Sequence, residues 1–213
     1  MHVSVPEALV GRDTSSCCFS GISGVEKYDA IAVGPAIGQA PETVKALTDL
    51  LHKWRGVTIL DADALNILAE HRELLELLHD NCILTPHMKE FERLAGKSGN
   101  DFERLNKLSI FAQQFHVHIV LKGAYSVIAT PDGKLFFNMS GNPGMAKGGA
   151  GDVLTGVLLA LAANRLSLTE LVGIGVFAHG LAGDILAGEY GQRGVSAGMI
   201  AEGMGKAWQK LEF

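Results

Sequence analysis

The chain has 213 residues, of which 47% are hydrophobic and 7% aromatic, and this length and composition predict one domain with a sizeable core, spanning residues 1–213. A formal net charge of −5 and the lack of a basic cluster argue against nucleic acid as a partner. The N-terminus lacks the basic and apolar regions of a signal peptide, and Gly, Asp or His breaks every apolar stretch before about 18 residues, so we expect no membrane span and a cytoplasmic location.

Short apolar strands alternate with amphipathic helices along most of the chain. This alternation predicts an α/β fold of three layers, in which helices cover both faces of a mainly parallel central sheet. The predicted elements, in chain order, are strand Ala30–Val33, a helix from Pro41 to about Arg55, strand Val57–Leu60, a helix from Asp63 to about His79, strand Cys82–Leu84, a helix ending near Gly96, helix Asp101–Phe115, strand Ile119–Leu121, a hairpin of about Ser126–Ala129 and Leu135–Asn138, and helices of roughly Asp152–Ala163, Leu168–Tyr190 and Val195–Leu211.

Polar and glycine-containing segments follow the strands of this predicted sheet. In such sheets ligands collect beyond the carboxyl ends of the strands. We therefore expect five segments that are distant in sequence to converge on one edge of the sheet and to form a single site. These segments are residues 34–38, 61–63, 85–90, 122–126 and 148–152.

The most informative segment is the glycine-rich run from Asn142 to Asp152, which leads directly into an apolar helix. Glycines let backbone N–H groups approach a ligand, and a helix N-terminus adds partial positive charge, so the run predicts an anion hole for phosphate. An aspartate there would repel phosphate unless it deprotonates an attacking hydroxyl, which points to phosphoryl transfer from a nucleotide to an alcohol. The alternative is that Asp152 is an ordinary helix N-cap.

Five motifs resemble, in order, those of the ADP/ATP-dependent NAD(P)H-hydrate dehydratase family of the ribokinase-like superfamily. They are VGPAIG at 33–38, LDADALN at 60–66, LTPHMKEFERL at 84–94, VLKGAYSVIATPDG at 120–133 and NPGMAKGGAGDVLTG at 142–156. The resemblance covers nearly the whole chain from residue 28 onward. It implies a three-layer α/β/α ribokinase-like fold.

The family repairs hydrated nicotinamide cofactors, and the resemblance implies the same activity for this chain. A nucleotide phosphorylates the C6 hydroxyl of the S-epimer of hydrated NADH or NADPH, and phosphate is then eliminated, so the implied enzyme is a carbon–oxygen lyase. The implied cofactor is Mg²⁺, and the implied co-substrate is ADP or ATP, with ADP typical of bacterial members. The resemblance also implies a homo-oligomer and, as a pathway partner, an epimerase.

The resemblance assigns roles to individual residues. Asp152 matches the catalytic base and a substrate contact, and Gly38 and His87 match further substrate contacts. Glu90 would hold Mg²⁺ through water, or else complete a capping box at the start of its helix. The anion hole corresponds to Gly148, Gly149, Ala150 and Gly151, and the nucleotide site corresponds to Lys122, Gly123, Ala124, Tyr125, Ser126 and Gly151.

The sequence departs from the family pattern at three positions and at the N-terminus. Ala36 stands where the middle glycine is usual, Ala150 replaces a hydroxyl residue, and Lys147 occupies a position where threonine is common. Lys147 would pair with a phosphate or point to water. Family members normally begin with a further βαβ unit of about 30 residues or more. HVSVP at 2–6 resembles the strand after that unit, so we expect an N-terminally shortened domain.

Several alternatives stay open at this point. Lys122 would also suit a solvated strand end, and Asp63 would suit an N-cap of the following helix. A ribokinase-like kinase for hydroxymethylpyrimidine, hydroxyethylthiazole or a sugar would share the GGxGD chemistry, because a fold does not fix its substrate. An inactive remnant would bind nucleotide without turnover.

Overall fold

A computed structural model describes residues 24–164 and 166–211 of the chain. The interpretation of HVSVP as a strand lies outside these described residues. Helices cover both faces of one six-stranded sheet, which confirms the predicted three-layer α/β/α architecture. The strands are β1 (Ala30–Val33), β2 (Val57–Leu60), β3 (Cys82–Leu84), β4 (His118–Leu121), β5 (Val127–Ala129) and β6 (Leu135–Phe137).

The strands lie side by side in the order in which they occur in the chain. Strands β1 to β4 are parallel, whereas β5 and β6 form the predicted antiparallel hairpin at one edge. In the parallel part, Val33 pairs with Leu60 and Leu60 pairs with Leu84, so β1, β2 and β3 end level with one another. This register places the segments that follow these strands at one edge of the sheet.

The α-helices are α1 (Pro41–Lys53), α2 (Asp63–Glu70), α3 (Met88–Ala95), α4 (Asp101–Gln114), α5 (Ala150–Leu161), α6 (Leu168–Gly194) and α7 (Ala197–Leu211). Short 3-10 helices cover Val25–Lys27, Arg72–Leu77 and Pro143–Met145. The single helix predicted from Asp63 to about His79 is therefore wrong. His71 has non-helical backbone angles (φ −109°, ψ 72°) and ends α2, so the second half of that segment is a separate 3-10 helix.

Two further boundaries differ from the prediction. Helix α5 begins at Ala150 rather than Asp152, which places Asp152 inside its first turn. Helix α6 runs four residues beyond the predicted end at Tyr190, but Gly191 is not helical (φ 71°, ψ 154°) and kinks the helix directly after that residue.

Side chains along each strand point alternately to the two faces of the sheet and so divide the core into two parts. Leu60, Leu84 and Leu121 pack towards α1 to α4, whereas the preceding residue of each strand packs towards α5 and α6. Adjacent side chains of a strand point to opposite faces, so strands covered on both sides are apolar throughout. The sheet is thereby fixed between two apolar layers, and only its ends are free to carry a site.

Helix α6 is long and apolar enough, by length and composition alone, to cross a membrane. Half of the most apolar 18-residue stretch of this helix is nevertheless buried inside the protein. It packs against α5, α7 and β4 as a core helix of the three-layer fold.

Candidate active site

Backbone contacts link four of the five predicted segments at the carboxyl ends of the strands. The Asp63 N–H donates to the Gly34 carbonyl (3.3 Å), and the Lys122 N–H donates to the Pro86 carbonyl (2.8 Å). His87 and Lys122 also form a parallel bridge beyond the ends of β3 and β4. The fifth segment, residues 148–152, reaches the same place through the side-chain contacts described below.

The first turn of α5 is open to an anion. Its N-cap, Gly149, has a left-handed backbone (φ 88°), and in the part of the chain that the structure describes no side chain caps the helix. The Ala150 N–H donates to the Lys147 carbonyl (3.3 Å), and the helix ladder begins with the Val153 N–H. The first N–H groups of a helix lack partners within it. The backbone dipoles at residues 151 and 152 are therefore directed out of the helix end, where they favour negative charge.

Asp152 is the third residue of α5 and is exposed to solvent. The N-cap interpretation is wrong, because Gly149 holds that position. Ala150 is buried, whereas Gly148 is exposed, and a Cβ added to Gly148 would meet no atom within 4 Å. The predicted anion hole is thus split between two loop residues and the first helical turn, with free space on its outer side.

A buried carboxylate lies behind this turn. Asp61 is 1% exposed, and its Oδ1 accepts a hydrogen bond from Lys122 Nζ at 2.7 Å. Its Oδ2 accepts one from Thr155 Oγ1, on α5, at 2.9 Å. A Cβ added to Gly151 would lie 3.2 Å from Lys122 Nζ, so the ammonium group touches the first turn of α5.

These contacts decide the alternative for Lys122. Its side chain is only 21% exposed and is paired with Asp61, so the interpretation as a solvated lysine is wrong. The rest of the segment faces outward: Gly123, Ala124 and Tyr125 are exposed, and Ser126 is half-buried. The segment therefore presents one fixed cation and an accessible backbone beside the anion hole.

His87 and Glu90 form a capping box at the start of α3. The Lys89 and Glu90 N–H groups donate to His87 Nδ1, and the His87 N–H donates to Glu90 Oε2 at 2.7 Å. The capping alternative for Glu90 is thereby confirmed. His87 Nε2 lies 3.4 Å from Glu90 Oε1, and the His87 side chain remains half exposed. The imidazole is held in one orientation at the edge of the site.

Asp63 supports the segment that contains Gly38. Its Oδ2 accepts a hydrogen bond from the Gly38 N–H at 3.0 Å, and its Oδ1 accepts one from Gln39 Nε2 at 3.3 Å. The N-cap interpretation of Asp63 is wrong, because Ala62 is the N-cap of α2 and Asp63 is its first residue. Ala36 has a φ of 56°, a left-handed conformation that favours the glycine usual at this position.

Lys147 neither lies free in water nor is left unpaired for a phosphate. Its Nζ donates to the Arg193 carbonyl at 2.9 Å and also to the Val195 carbonyl. Both carbonyls lie at the end of α6, where the helix dipole favours a cation. Lys147 therefore ties the glycine-rich segment to the junction of α6 and α7.

His179, on α6, lies beneath the same loop. Burial lowers the pKa of His179 to about 4; the nearby Lys122 charge also lowers it, and a hydrogen bond with the Ala150 backbone opposes the shift. Its Nε2 is buried and has no hydrogen-bond partner among the described residues. The imidazole is neutral at pH 7, so the positive potential at the anion hole comes from Lys122 and from the helix end.

Three or more His, Cys, Asp or Glu side chains do not cluster as metal ligands anywhere in residues 24–164 and 166–211. Sequence reasoning missed the contacts that Asp61 makes in the site and left the role of Asp63 open. The signal for both was the Asp-x-Asp pattern directly after a buried strand, where two carboxylates reach the site edge.

Comparison with known proteins places this chain in a family. The model of NAD(P)H-hydrate dehydratase matches residues 1–205. The bifunctional NAD(P)H-hydrate repair enzyme Nnr of Thermofilum pendens is 42% identical over 213 residues, which cover 97% of this chain and 41% of that enzyme. The chain thus spans about two fifths of the length of this relative.

Solved structures give the same result. The ADP/ATP-dependent NAD(P)H-hydrate dehydratase of Bacillus subtilis, co-crystallised with ATP and Mg²⁺, superposes with a TM-score of 0.74 at 31% identity, over 86% of this chain and 65% of that one. A ribokinase-like superfamily protein of Enterococcus faecalis gives 0.76 at 27% identity, over 87% and 64%. The expected ribokinase-like fold is confirmed.

Proposed function

The chain belongs to the NAD(P)H-hydrate dehydratase family, and from this premise we propose that it dehydrates the S-epimer of hydrated NADH or NADPH at the expense of ADP or ATP. The observation that carries the proposal is the exposed carboxylate of Asp152 in the uncapped first turn of α5, a turn that the Lys122 ammonium group approaches at Gly151. A base and an anion hole at one place are what phosphorylation of an alcohol requires.

In the proposed reaction, the Asp152 carboxylate takes the proton of the C6 hydroxyl, and the hydroxyl oxygen attacks the terminal phosphorus of the nucleotide. The bond from that phosphorus to its bridging oxygen breaks, which releases AMP from ADP. Phosphate then leaves C6 with the bonding electron pair, and a proton leaves the adjacent ring carbon, which restores the reduced nicotinamide. The helix end stabilises the charge on the transferring group.

The remaining site residues receive binding roles. We assign the nucleotide phosphates to Lys122 and to the backbone at Gly148, Gly149, Ala150 and Gly151, and the rest of the nucleotide to Gly123, Ala124, Tyr125 and Ser126. Gly38 and His87 would contact the hydrated nicotinamide cofactor. Both are held by carboxylates, Gly38 by Asp63 and His87 by Glu90, so their orientation does not depend on the ligand.

Mg²⁺ suits this site as a partner of the nucleotide phosphates. Glu90 is 6% exposed, uses Oε2 for the helix cap and has Oε1 3.4 Å from His87 Nε2, so we assign to Oε1 a Mg²⁺-bound water that approaches beside the half-exposed His87 ring. Mg²⁺ usually keeps several waters and binds through phosphates and one or two carboxylates. When bound, Mg²⁺ neutralises part of the phosphate charge.

We further propose a cytoplasmic homo-oligomer that acts in sequence with an epimerase for the R-epimer of the same substrate. Support for the oligomer comes from Phe136 and Phe137, which are exposed on the edge strand β6, and from the neighbouring exposed Met139. Large apolar side chains on an open sheet edge favour association. Light scattering coupled to size-exclusion chromatography measures the mass of the assembly, and a monomer would contradict this part of the proposal.

The first experiment supplies the S-epimer of hydrated NADH (S-NADHX), ADP and Mg²⁺ to the purified chain and follows the return of reduced-nicotinamide absorbance. We expect turnover, and we expect Asp152→Asn to lower kcat by about 100-fold or more because the general base is lost. Asp49→Asn, an exposed aspartate of α1, is the matched control and should retain the wild-type rate. Release of inorganic phosphate supports a dehydratase, whereas accumulation of a phosphorylated alcohol would identify a kinase instead.

A further inference from the structure

Asp61 joins the two elements that build the phosphate end of the site. It follows β2, and its two carboxylate oxygens diverge: one accepts from Lys122, after β4, and the other from Thr155, on α5. Lys122 lies 61 positions and Thr155 lies 94 positions further along the chain. One buried carboxylate therefore sets the position of the site's cation relative to the helix that carries the anion hole.

The ammonium group is held where a phosphate would need it. Lys122 Nζ lies 3.2 Å, and Asp61 Oδ2 lies 3.8 Å, from the position of a Cβ on Gly151. A lysine has a flexible four-carbon stem and loses much rotamer freedom when it is fixed. Because Asp61 fixes the stem in advance, the nucleotide does not bear that entropic cost when it binds.

Asp61 is unsuited to act as a base or to bind the phosphate directly. Both of its oxygens are occupied and the residue is 1% exposed, whereas Asp152 is exposed at the mouth of the site. Stability alone does not account for a buried ion pair, because apolar residues of similar volume are often as stabilising there. Its chemistry is instead that of an orienting partner, which acts through the lysine.

We propose that Asp61 is a positioning residue for phosphoryl transfer: it holds the Lys122 ammonium group against the first turn of α5, with Thr155 fixing the carboxylate in turn. The proposal rests on the function proposed above for this site, but its test by nucleotide binding does not require turnover. It predicts that Lys122 contributes to ADP binding only when Asp61 is present to orient it.

A double-mutant cycle tests this dependence. The affinity for ADP with Mg²⁺ is measured by isothermal titration calorimetry for wild type, Lys122→Met, Asp61→Asn and the double variant. In the wild-type background we expect Lys122→Met to weaken ADP binding at least about tenfold, which corresponds to the loss of a charged hydrogen bond. In a chain that already carries Asp61→Asn, we expect the same substitution to weaken ADP binding by less than about threefold. Equal losses in both backgrounds would mean that Asp61 has only a structural role, and would overturn the proposal.

If Asp61→Asn does not fold, the effect of Lys122→Met on ADP binding is measured in a second variant, Thr155→Val. Thr155→Val removes one hydrogen bond to the carboxylate but leaves the ion pair, so it should also reduce the effect of Lys122→Met on ADP binding. An undiminished effect of Lys122→Met there would contradict the proposal. The control, Glu189→Gln, removes an exposed carboxylate–lysine pair between α6 and α7 (Lys206 Nζ to Glu189 Oε1, 2.6 Å) and should leave ADP affinity unchanged.

The outcomes for the two proposals can be separated. A wild-type chain that binds ADP but does not convert S-NADHX refutes the dehydratase function, and the binding cycle then judges Asp61 alone. A chain that turns over S-NADHX but shows additive effects at residues 61 and 122 keeps the function and refutes the positioning role. Failure of the wild-type chain to bind either ADP or ATP would refute both.

Discussion

The buried imidazole of His179 makes the stability of this protein depend on pH. Its pKa is lowered from 6.5 to about 4, chiefly by burial. Above pH 6.5 the ring is neutral in both the folded and the unfolded chain, so its contribution does not vary. As the pH falls below 6.5, the unfolded chain takes up a proton that the folded chain refuses until about pH 4. Stability is therefore lost across that window.

The size of this loss of stability follows from the difference between the pKa values of His179 in the unfolded and folded chain. One pKa unit corresponds to about 1.36 kcal/mol. At pH 5, about 1.5 units below the ordinary value, the loss of unfolding free energy is about 2 kcal/mol, and it approaches about 3 kcal/mol near pH 4. His79 and His118 have pKa values that burial also lowers, so they add to the total in the same direction.

Urea unfolding at pH 7.5 and pH 5 isolates the His179 contribution when wild type is compared with His179→Gln. The variant keeps a similar side-chain size but cannot titrate, and the contributions of the other histidines cancel. We expect wild type to lose about 2 kcal/mol more than the variant between the two pH values. His52→Gln, at an exposed position of α1, should retain the wild-type difference. Equal losses in wild type and His179→Gln would refute the reasoning.

Three other substitutions test the local geometry. Ala36→Gly relieves a positive φ of 56° and should raise Tm by about 1–2 °C in a thermal melt, and a lower Tm would contradict this. Gly34→Ala should cost at least about 3 kcal/mol of unfolding free energy in urea, because its Cβ would lie 1.7 Å from the Asp61 carbonyl oxygen; a wild-type midpoint would refute the clash. Lys147→Met frees the Arg193 and Val195 carbonyls and should speed amide exchange over residues 191–196, while unchanged exchange would count against the tie.

The sequence predicted the layers well because they depend on local patterns. A strand such as Ile59–Leu60 is apolar on both faces, and this alone implies helices on each side. The convergence of the four segments that follow β1 to β4 came from the same pattern, because parallel strands end at a common edge. The start of α5 was misjudged by two residues, since glycines can belong equally to a loop or to a first helical turn.

The side-chain partners in the site could not be predicted in the same way. The contact of Asp61 with Lys122 and Thr155 depends on which strands are neighbours and on the register of α5, neither of which a local pattern contains. The role of Asp63 stayed open because an aspartate before a helix suits an N-cap, yet its side chain makes a tertiary contact with the Gly38 N–H. His71 ended α2 without the glycine or proline that usually marks such a break.

The order of the strands has a consequence for how the chain is made. Each strand lies beside its predecessor in the sequence, so the sheet can grow strand by strand as the polypeptide leaves the ribosome. Asp61 enters this growing sheet long before Lys122 and Thr155 have been synthesised, and an unpaired carboxylate resists losing its water. A chain that ends before α5 would therefore contain all six strands, but it would lack Thr155 and the helix end that carries the anion hole.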